Sequence, residues 1–208
     1  MGKTTKKIGK LSRRNGVALS ASESVLKMLQ KRAYSPGQHG PIAGRRRPRL
    51  SVFALQLREK QKAKHLYGMM EKQFRNCFKK AETMPGNTGE NLSRMLETRL
   101  DNTVFRIGFA KTRAQARQMV SHAMFTVNGK KVNIPSFRVS VDDEIQIREG
   151  KRAKGVFTDY AERAKHHQAP SWLHVDPLAY AGKVVSIPQG EDLKEVYDPK
   201  MIVEFYSR

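Results

Sequence analysis

Lys111, Arg113 and Arg117 gather around Thr112-Arg-Ala-Gln115, a four-residue pattern that opens helices. Threonine at the cap and glutamine three places on satisfy the first unpaired N–H groups. A helix start flanked by cations attracts phosphate. Arg99 and Arg106 stand seven residues apart, two turns along one helical face, and Lys130, Lys131 and Arg138 extend the positive set downstream. Earlier in the chain, Arg45, Arg46, Arg47 and Arg49 follow Tyr34-Ser-Pro-Gly-Gln-His-Gly-Pro41, where glycine permits close backbone approach and His39 offers a further donor. Forked guanidinium donors suit phosphate oxygens. The chemistry open to these groups is electrostatic grip on a polyanion, with no bond made or broken.

The formal charge of +21 over 208 residues supports the same reading. Residues 1–50 hold 13 Lys or Arg against the single acid Glu23. Nucleic acid is the leading partner, because each neutralised phosphate releases counterions. Charge alone admits an anionic membrane surface as well. Residues 52–67, basic and moderately amphipathic, lack the broad bulky apolar stripe that a membrane helix needs, so no membrane partner is expected. Many short positive patches fit folded RNA, which is recognised by shape and phosphate over several surfaces.

The patterns that would make an enzyme are missing. Asp101, Asp142, Asp143 and Glu144 belong to no metalloprotease, phosphate-loop or paired-acid motif. Asp142 and Asp143 read as turn residues, and Asp101 as a partner for a nearby arginine. Cys77, the only cysteine, allows no internal disulfide and no multi-thiolate zinc site, and reads as a small core residue. His166-His167 lacks ligand partners, and Trp172 reads as core more than as a base-stacking group. No metal or cofactor is expected.

The elements that must position these residues follow from pattern. Residues 1–19 are basic and apolar-poor and are expected to be flexible when free. Ser20-Ala-Ser-Glu23 has capping-box spacing for a short helix with Val25, Leu26 and Leu29 on one face. Residues 52–67 read as helix, Gly68 interrupts, and Met70, Phe74, Cys77, Phe78 and Ala81 mark the next helix, ended by Pro85-Gly86. After Asn87 a single stripe of Leu92, Leu96, Leu100, Val104 and Ile107 predicts one helix, closed by Gly108. A short helix to about Ser121 then buries Ala116, Val120 and Ala123. Asn128-Gly129 between short strands signals a type I′ hairpin, and Ile145 and Ile147 alternate as another strand. Helix, helix and small sheet form a unit over roughly 92–149. Beyond it lie a helical stretch near 157–168, strand-like Trp172–Val175 and Lys183–Ile187, and apolar Met201–Tyr206, which is expected to be pinned into a core or against a partner. The fold class is α+β.

Several strings carry a resemblance. Ser35-Pro-Gly-Gln-His-Gly40, Leu55-Gln-Leu-Arg-Glu-Lys-Gln61, Gly86-Asn-Thr-Gly-Glu-Asn-Leu92, Arg99-Leu-Asp-Asn102, Val127-Asn-Gly129, Leu173-His-Val-Asp176 and Ile202-Val-Glu-Phe-Tyr-Ser207 closely resemble small-subunit ribosomal protein four of bacteria, in the same order and over nearly the whole chain. With no cysteine before Cys77, the chain resembles the family's zinc-free branch, and Ser35 stands where a proline is common. The resemblance implies a mostly helical domain with an inserted small α+β RNA-binding module, a helix pair plus small antiparallel sheet, and an extended basic N-terminal region. The implied bounds are 1–50 for that region, 51–96 plus about 190–208 for the helical domain, and 97–189 for the insert, with a module core near 97–163.

It further implies a structural constituent of the small ribosomal subunit, a cytoplasmic protein that binds 16S rRNA early, nucleates assembly and contributes to decoding accuracy. Partners implied are the rRNA, small-subunit ribosomal protein five and other small-subunit proteins, and mRNA where it enters the subunit. No stable homo-oligomer is expected. Residues matched to RNA contact are Gln38, His39, Arg58, Lys60, Lys62, Arg75, Arg99, Arg106, Arg113, Arg117, Ser121, His122, Asn128 and Lys130, with Arg45, Arg46, Arg47 and Arg49 as a basic tract. Two alternatives stay open: an RNA-binding regulator working off the ribosome, and an RNA-modifying enzyme, for which the chain offers no catalytic domain.

Overall fold

The computed structural model describes residues 7–38, 40, 50–152, 155–158 and 160–208. His39, Arg45, Arg46, Arg47 and Arg49 lie outside the described residues. In chain order the helices and strands are α1 (Ile8–Asn15), α2 (Glu23–Lys31), α3 (Val52–Leu66), α4 (Glu71–Glu82), α5 (Thr88–Glu97), α6 (Leu100–Arg106), α7 (Arg113–Ser121), β1 (Phe125–Val127), β2 (Lys130–Val132), β3 (Glu144–Ile147), α8 (Glu149–Arg152), α9 (Tyr160–His166), β4 (Leu173–Asp176), β5 (Ala181–Val184) and α10 (Pro199–Tyr206). The chain divides into one unit of Met1–Leu92 with Glu195–Arg208, and a second of Ser93–Lys194. The architecture is a mostly helical part with a small antiparallel sheet and its helices inserted.

In the first unit, apolar spacing sets the inward faces. Phe74, Phe78 and Ala81 bury one side of α4, while Met70 stays 42% exposed, because it precedes α4 in extended backbone instead of joining its stripe. Ser51 caps α3 by accepting from the Ala54 N–H at 3.2 Å. The apolar segment near the end of the sequence forms α10, opened by Asp198 and Pro199 and packed on α3. Gln56 Nε2 donates to Glu204 across that contact at 2.8 Å, and the Tyr206 ring lies 4.6 Å from Phe78. Two expectations are corrected here. Residues 8–15 form α1, with Leu11 buried, so the first 19 residues are not wholly without structure. The second helix begins after Ser22, two residues beyond the predicted Ser20 cap, and the Ser22 side chain makes no capping hydrogen bond. Its inward residues are Val25 and, half-buried, Leu29, while Leu26 is exposed.

The second unit gathers its core from α6, α7, α9 and strands β1, β3, β4 and β5, with Val132 of β2 half-buried against it. Leu100, Val104, Ile107, Phe109, Ala116, Val120, Phe125, Ile145, Ile147, Tyr160 and Trp172 are buried in one cluster. Each large side chain there gains about 1.5–3 kcal/mol by leaving water. The strands run antiparallel in the order β2-β1-β3-β5-β4. Asn128 and Gly129 take φ of 50° and 75°, the left-handed pair a two-residue hairpin needs, and Val127 faces Lys130 across it.

The single helix predicted over 92–107 is instead two. The chain turns at Thr98 and Arg99, where the Leu100 N–H donates to Phe137 O and the Val139 N–H donates to Thr98 O. The loop after β2 takes up backbone groups that a continuous helix would have paired internally, and the apolar stripe survives because both halves face inward. The sheet also runs past the predicted 92–149 unit, because β3 pairs with β5 on its second edge. That last strand begins at Ala181 and ends at Val184, earlier than the Lys183–Ile187 reading. Gly182 admits the pairing: a Cβ there would stand 2.7 Å from Ile107 Cδ1.

Candidate nucleic-acid interface

The helix pair α6–α7 brings four of the predicted cations together. Thr112 Oγ1 accepts from the Gln115 N–H at 3.2 Å, so the predicted cap forms. The glutamine side chain reaches back to the Lys111 N–H at 2.8 Å. This cap fixes the start of α7 and therefore the positions of Arg113 and Arg117, one turn apart.

Two buried carboxylates then organise the guanidinium groups. Asp101 receives Arg99 in a fork, at 3.0 and 2.7 Å, and Arg117 at 3.3 Å. Glu97, 1% exposed, receives Arg106 at 2.9 and 3.1 Å and the Asn102 amide at 2.9 Å, with Arg113 at 3.8 Å. Arg113 also donates to Asn102 Oδ1 at 2.7 Å and lies 4.8 Å over the Phe105 ring. Burial lowers the Arg117 pKa and Arg99 adds to this, while Asp101 opposes it. Guanidinium nonetheless stays charged at any working pH. Four arginines against two acids leave this cluster with two positive charges in fixed geometry. Arg99, 6% exposed, is mostly an internal strut, and Arg106, Arg113 and Arg117 are half-buried.

The sequence reading paired Asp101 with an arginine, and it is. It missed Glu97 and Asn102. Glu97 meets Arg106 nine residues away across a chain turn, a separation that no helical spacing rule flags.

The other predicted residues fall as follows. Lys111, Ser121, His122, Asn128, Lys130, Lys131 and Arg138 are exposed on the second unit. Asn128 is also structural: its amide donates to Asp143 at 2.7 Å and its oxygen accepts from the Glu144 N–H at 2.9 Å. In the first unit Gln38 and Arg75 are exposed. Arg58 donates to Asn15 O, and Lys62 pairs with Glu59. Lys60 is buried, 2.7 Å from Glu71 and 4.7 Å from the Phe205 ring, so its charge serves the packing of α10. Trp172 is fully buried, as expected of a core indole. Among the described residues, no His, Cys, Asp and Glu side chains gather to hold a metal ion, and no helix is long and apolar enough to cross a membrane.

Residues 98–145, which hold the helix pair, hairpin and β3 start, match the family model described as S4 domain, and residues 3–97 match Ribosomal protein S4/S9 N-terminal domain. The two parts in this order define a class of ribosomal proteins. The relative from Chlorobium limicola, named small ribosomal subunit protein uS4, is 50% identical over 201 residues, covering 97% of each chain. Proteins of the same name from Roseiflexus castenholzii and Chlorobaculum tepidum are each 48% identical, again over 97% of both chains. The chain belongs to the uS4 family. That membership sets it among structural ribosomal proteins, not among RNA-modifying enzymes.

Proposed function

We propose that this protein is a structural, rRNA-binding constituent of the small ribosomal subunit. The observation that carries the reading is family membership over 97% of the chain, joined to a formal charge of +21. The Glu97–Asp101 arginine cluster supplies cations of fixed position, suited to placing RNA by its backbone and not to reading bases. Lys111, Lys130, Lys131, Arg138, Ser121 and His122 widen that surface on the second unit. Arg58, Lys60 and Lys62 act on RNA through their support of the α3 region, and Gln38 and Arg75 by direct contact. His39 and the Arg45–Arg49 tract complete the contact set. By binding several RNA helices at once, the protein lowers their mutual repulsion and nucleates assembly, in the cytoplasm, on 16S rRNA.

Contact with small-subunit ribosomal protein five, an effect on decoding accuracy and proximity to incoming mRNA belong to the same proposal and rest on the family resemblance. The test is a sucrose gradient of native lysate after a high-salt wash, with this protein quantified in each fraction. Stoichiometric retention in the small subunit is the expected result. Release to the top of the gradient, while other early-binding small-subunit proteins stay bound, overturns it in favour of a regulator acting off the ribosome.

A further inference from the structure

Four cations on α4 take no part in the ion pairs of either unit. Lys72, Arg75, Lys79 and Lys80 are all exposed, and none has an ion-pair partner among the described residues. At 3.6 residues per turn they fall, with Asn76 and Thr83, within about 80° of Lys72 around the helix. Phe74, Phe78 and Ala81 occupy the opposite side and are buried. The rings of Phe74 and Phe78 against Tyr206, at 6.4 and 4.6 Å, stop the helix from rolling, so the cations keep one heading. Of the two acids that border the sector, Glu71 is turned to Lys60 and Lys64, at 2.7 and 2.8 Å. Glu82 lies at its edge in the last turn.

We propose that this face of α4 is a phosphate-backbone site for double-helical RNA, distinct from the arginine cluster of the second unit. The proposal rests on the rRNA-binding reading above and adds a place and a type of RNA to it. Lys72 to Lys80 rises about 12 Å along the helix axis. A nucleic-acid duplex carries roughly one phosphate per 3.4 Å of axis on each strand, so about three lie within that length. The aromatic rings of α4 face inward, which removes the stacking platform that single strands require. No apolar side chain borders the sector's centre, as insertion into a membrane surface would require. Three of the four cations are lysines, compact charges on flexible stems that follow a backbone without selecting bases.

The test compares the full chain with its Lys72→Gln, Arg75→Gln, Lys79→Gln, Lys80→Gln variant for binding to small-subunit rRNA across a salt series. Hydroxyl-radical cleavage of the RNA backbone is read in parallel. The expected result is a log–log salt slope shallower by about 2–3, at roughly 0.7–0.9 per lost contact. Protection should vanish from one double-helical stretch and persist elsewhere. The milder Lys72→Gln, Lys79→Gln pair should give about half that change, and Lys72→Arg, Lys79→Arg none. Unfolding midpoints equal to that of the parent chain show that the fold is kept. An unchanged slope with unchanged protection overturns the α4 site while leaving rRNA binding intact, as does loss of protection confined to single strands. A parent chain that binds the rRNA with a nearly flat slope overturns both readings.

Discussion

The arginine cluster of the second unit and the cationic face of α4 each present four basic side chains, yet they deliver charge in opposite ways. In the cluster, the buried Glu97 and Asp101 hold Arg99, Arg106 and Arg117 at hydrogen-bond distance, and Asn102 holds Arg113 within 3.8 Å of Glu97. On α4, Lys72, Arg75, Lys79 and Lys80 stand in solvent with no acid bound to them among the described residues. The first arrangement gives up half its formal charge for fixed geometry. The second keeps all of its charge and leaves its geometry to the ligand. Counting Lys and Arg along a sequence treats the two as equal, and they are not. Truncation should therefore injure the cluster through stability and α4 through affinity.

The largest effect that would break this contrast lies in the cluster itself. Glu97→Ala strips the buried carboxylate from Arg106 and leaves buried polar groups unmatched, with an expected loss of about 3–5 kcal/mol in urea unfolding of the full chain. A loss below about 1 kcal/mol would show that the acid is not what holds the array. Next is Thr112→Ala, which removes the cap that sets the start of α7. It should cost about 1 kcal/mol and weaken RNA binding as Arg113 and Arg117 lose their fixed origin.

A smaller effect comes from Glu71, the first residue of α4. Burial alone would raise its pKa, but hydrogen bonds and charge from Lys60 and Lys64 win and bring it from 4.5 to about 2. A carboxylate lowered on folding contributes stability that is complete above its unfolded pKa and is lost as pH falls through the folded one. The window is thus pH 4.5 to about 2. Because this side chain is 45% exposed, solvent screening holds the contribution to at most about 1 kcal/mol. Acid titration of the parent chain against Glu71→Gln reads it as a difference that is full above pH 4.5 and fades as pH falls through that window. The smallest stability effect is that of Lys79→Gln, within about 0.5 kcal/mol of the parent chain. Its salt slope should nonetheless fall by roughly 0.7–0.9, and a stability loss larger than that of Thr112→Ala would erase the distinction between the two regions.

Local rules read most of the scaffold. The Asn87 and Thr112 caps, the Asn128-Gly129 hairpin and the Phe74, Phe78 and Ala81 face of α4 all follow from short-range chemistry that leaves a mark in a few adjacent residues. What escaped was set by distant chain. The break at Thr98 and Arg99 depends on carbonyl and amide groups from Pro135 to Val139, and nothing within one turn of residue 99 announces it. The two-sided pairing of β3 needed Gly182 opposite Ile107, again a meeting of remote segments. The candidate site shows the same division. Its cations could be picked out by type and spacing, whereas Glu97, which decides how much of their charge is free, could not.

The closure of the first unit by α10 has a consequence for the order in which the chain acquires its structure. Gln56 on α3 waits for Glu204, 148 residues later, and Phe78 waits for Tyr206. At a synthesis rate of roughly 5–20 residues per second, about 7–30 s separate the two sides of that contact. Throughout that interval the inward faces of α3 and α4 lack their cover, while Ser93–Lys194 has every strand and helix of its own core before Glu204 is added. The inserted unit is thus the first that can finish folding, and the part made earliest is the last to close.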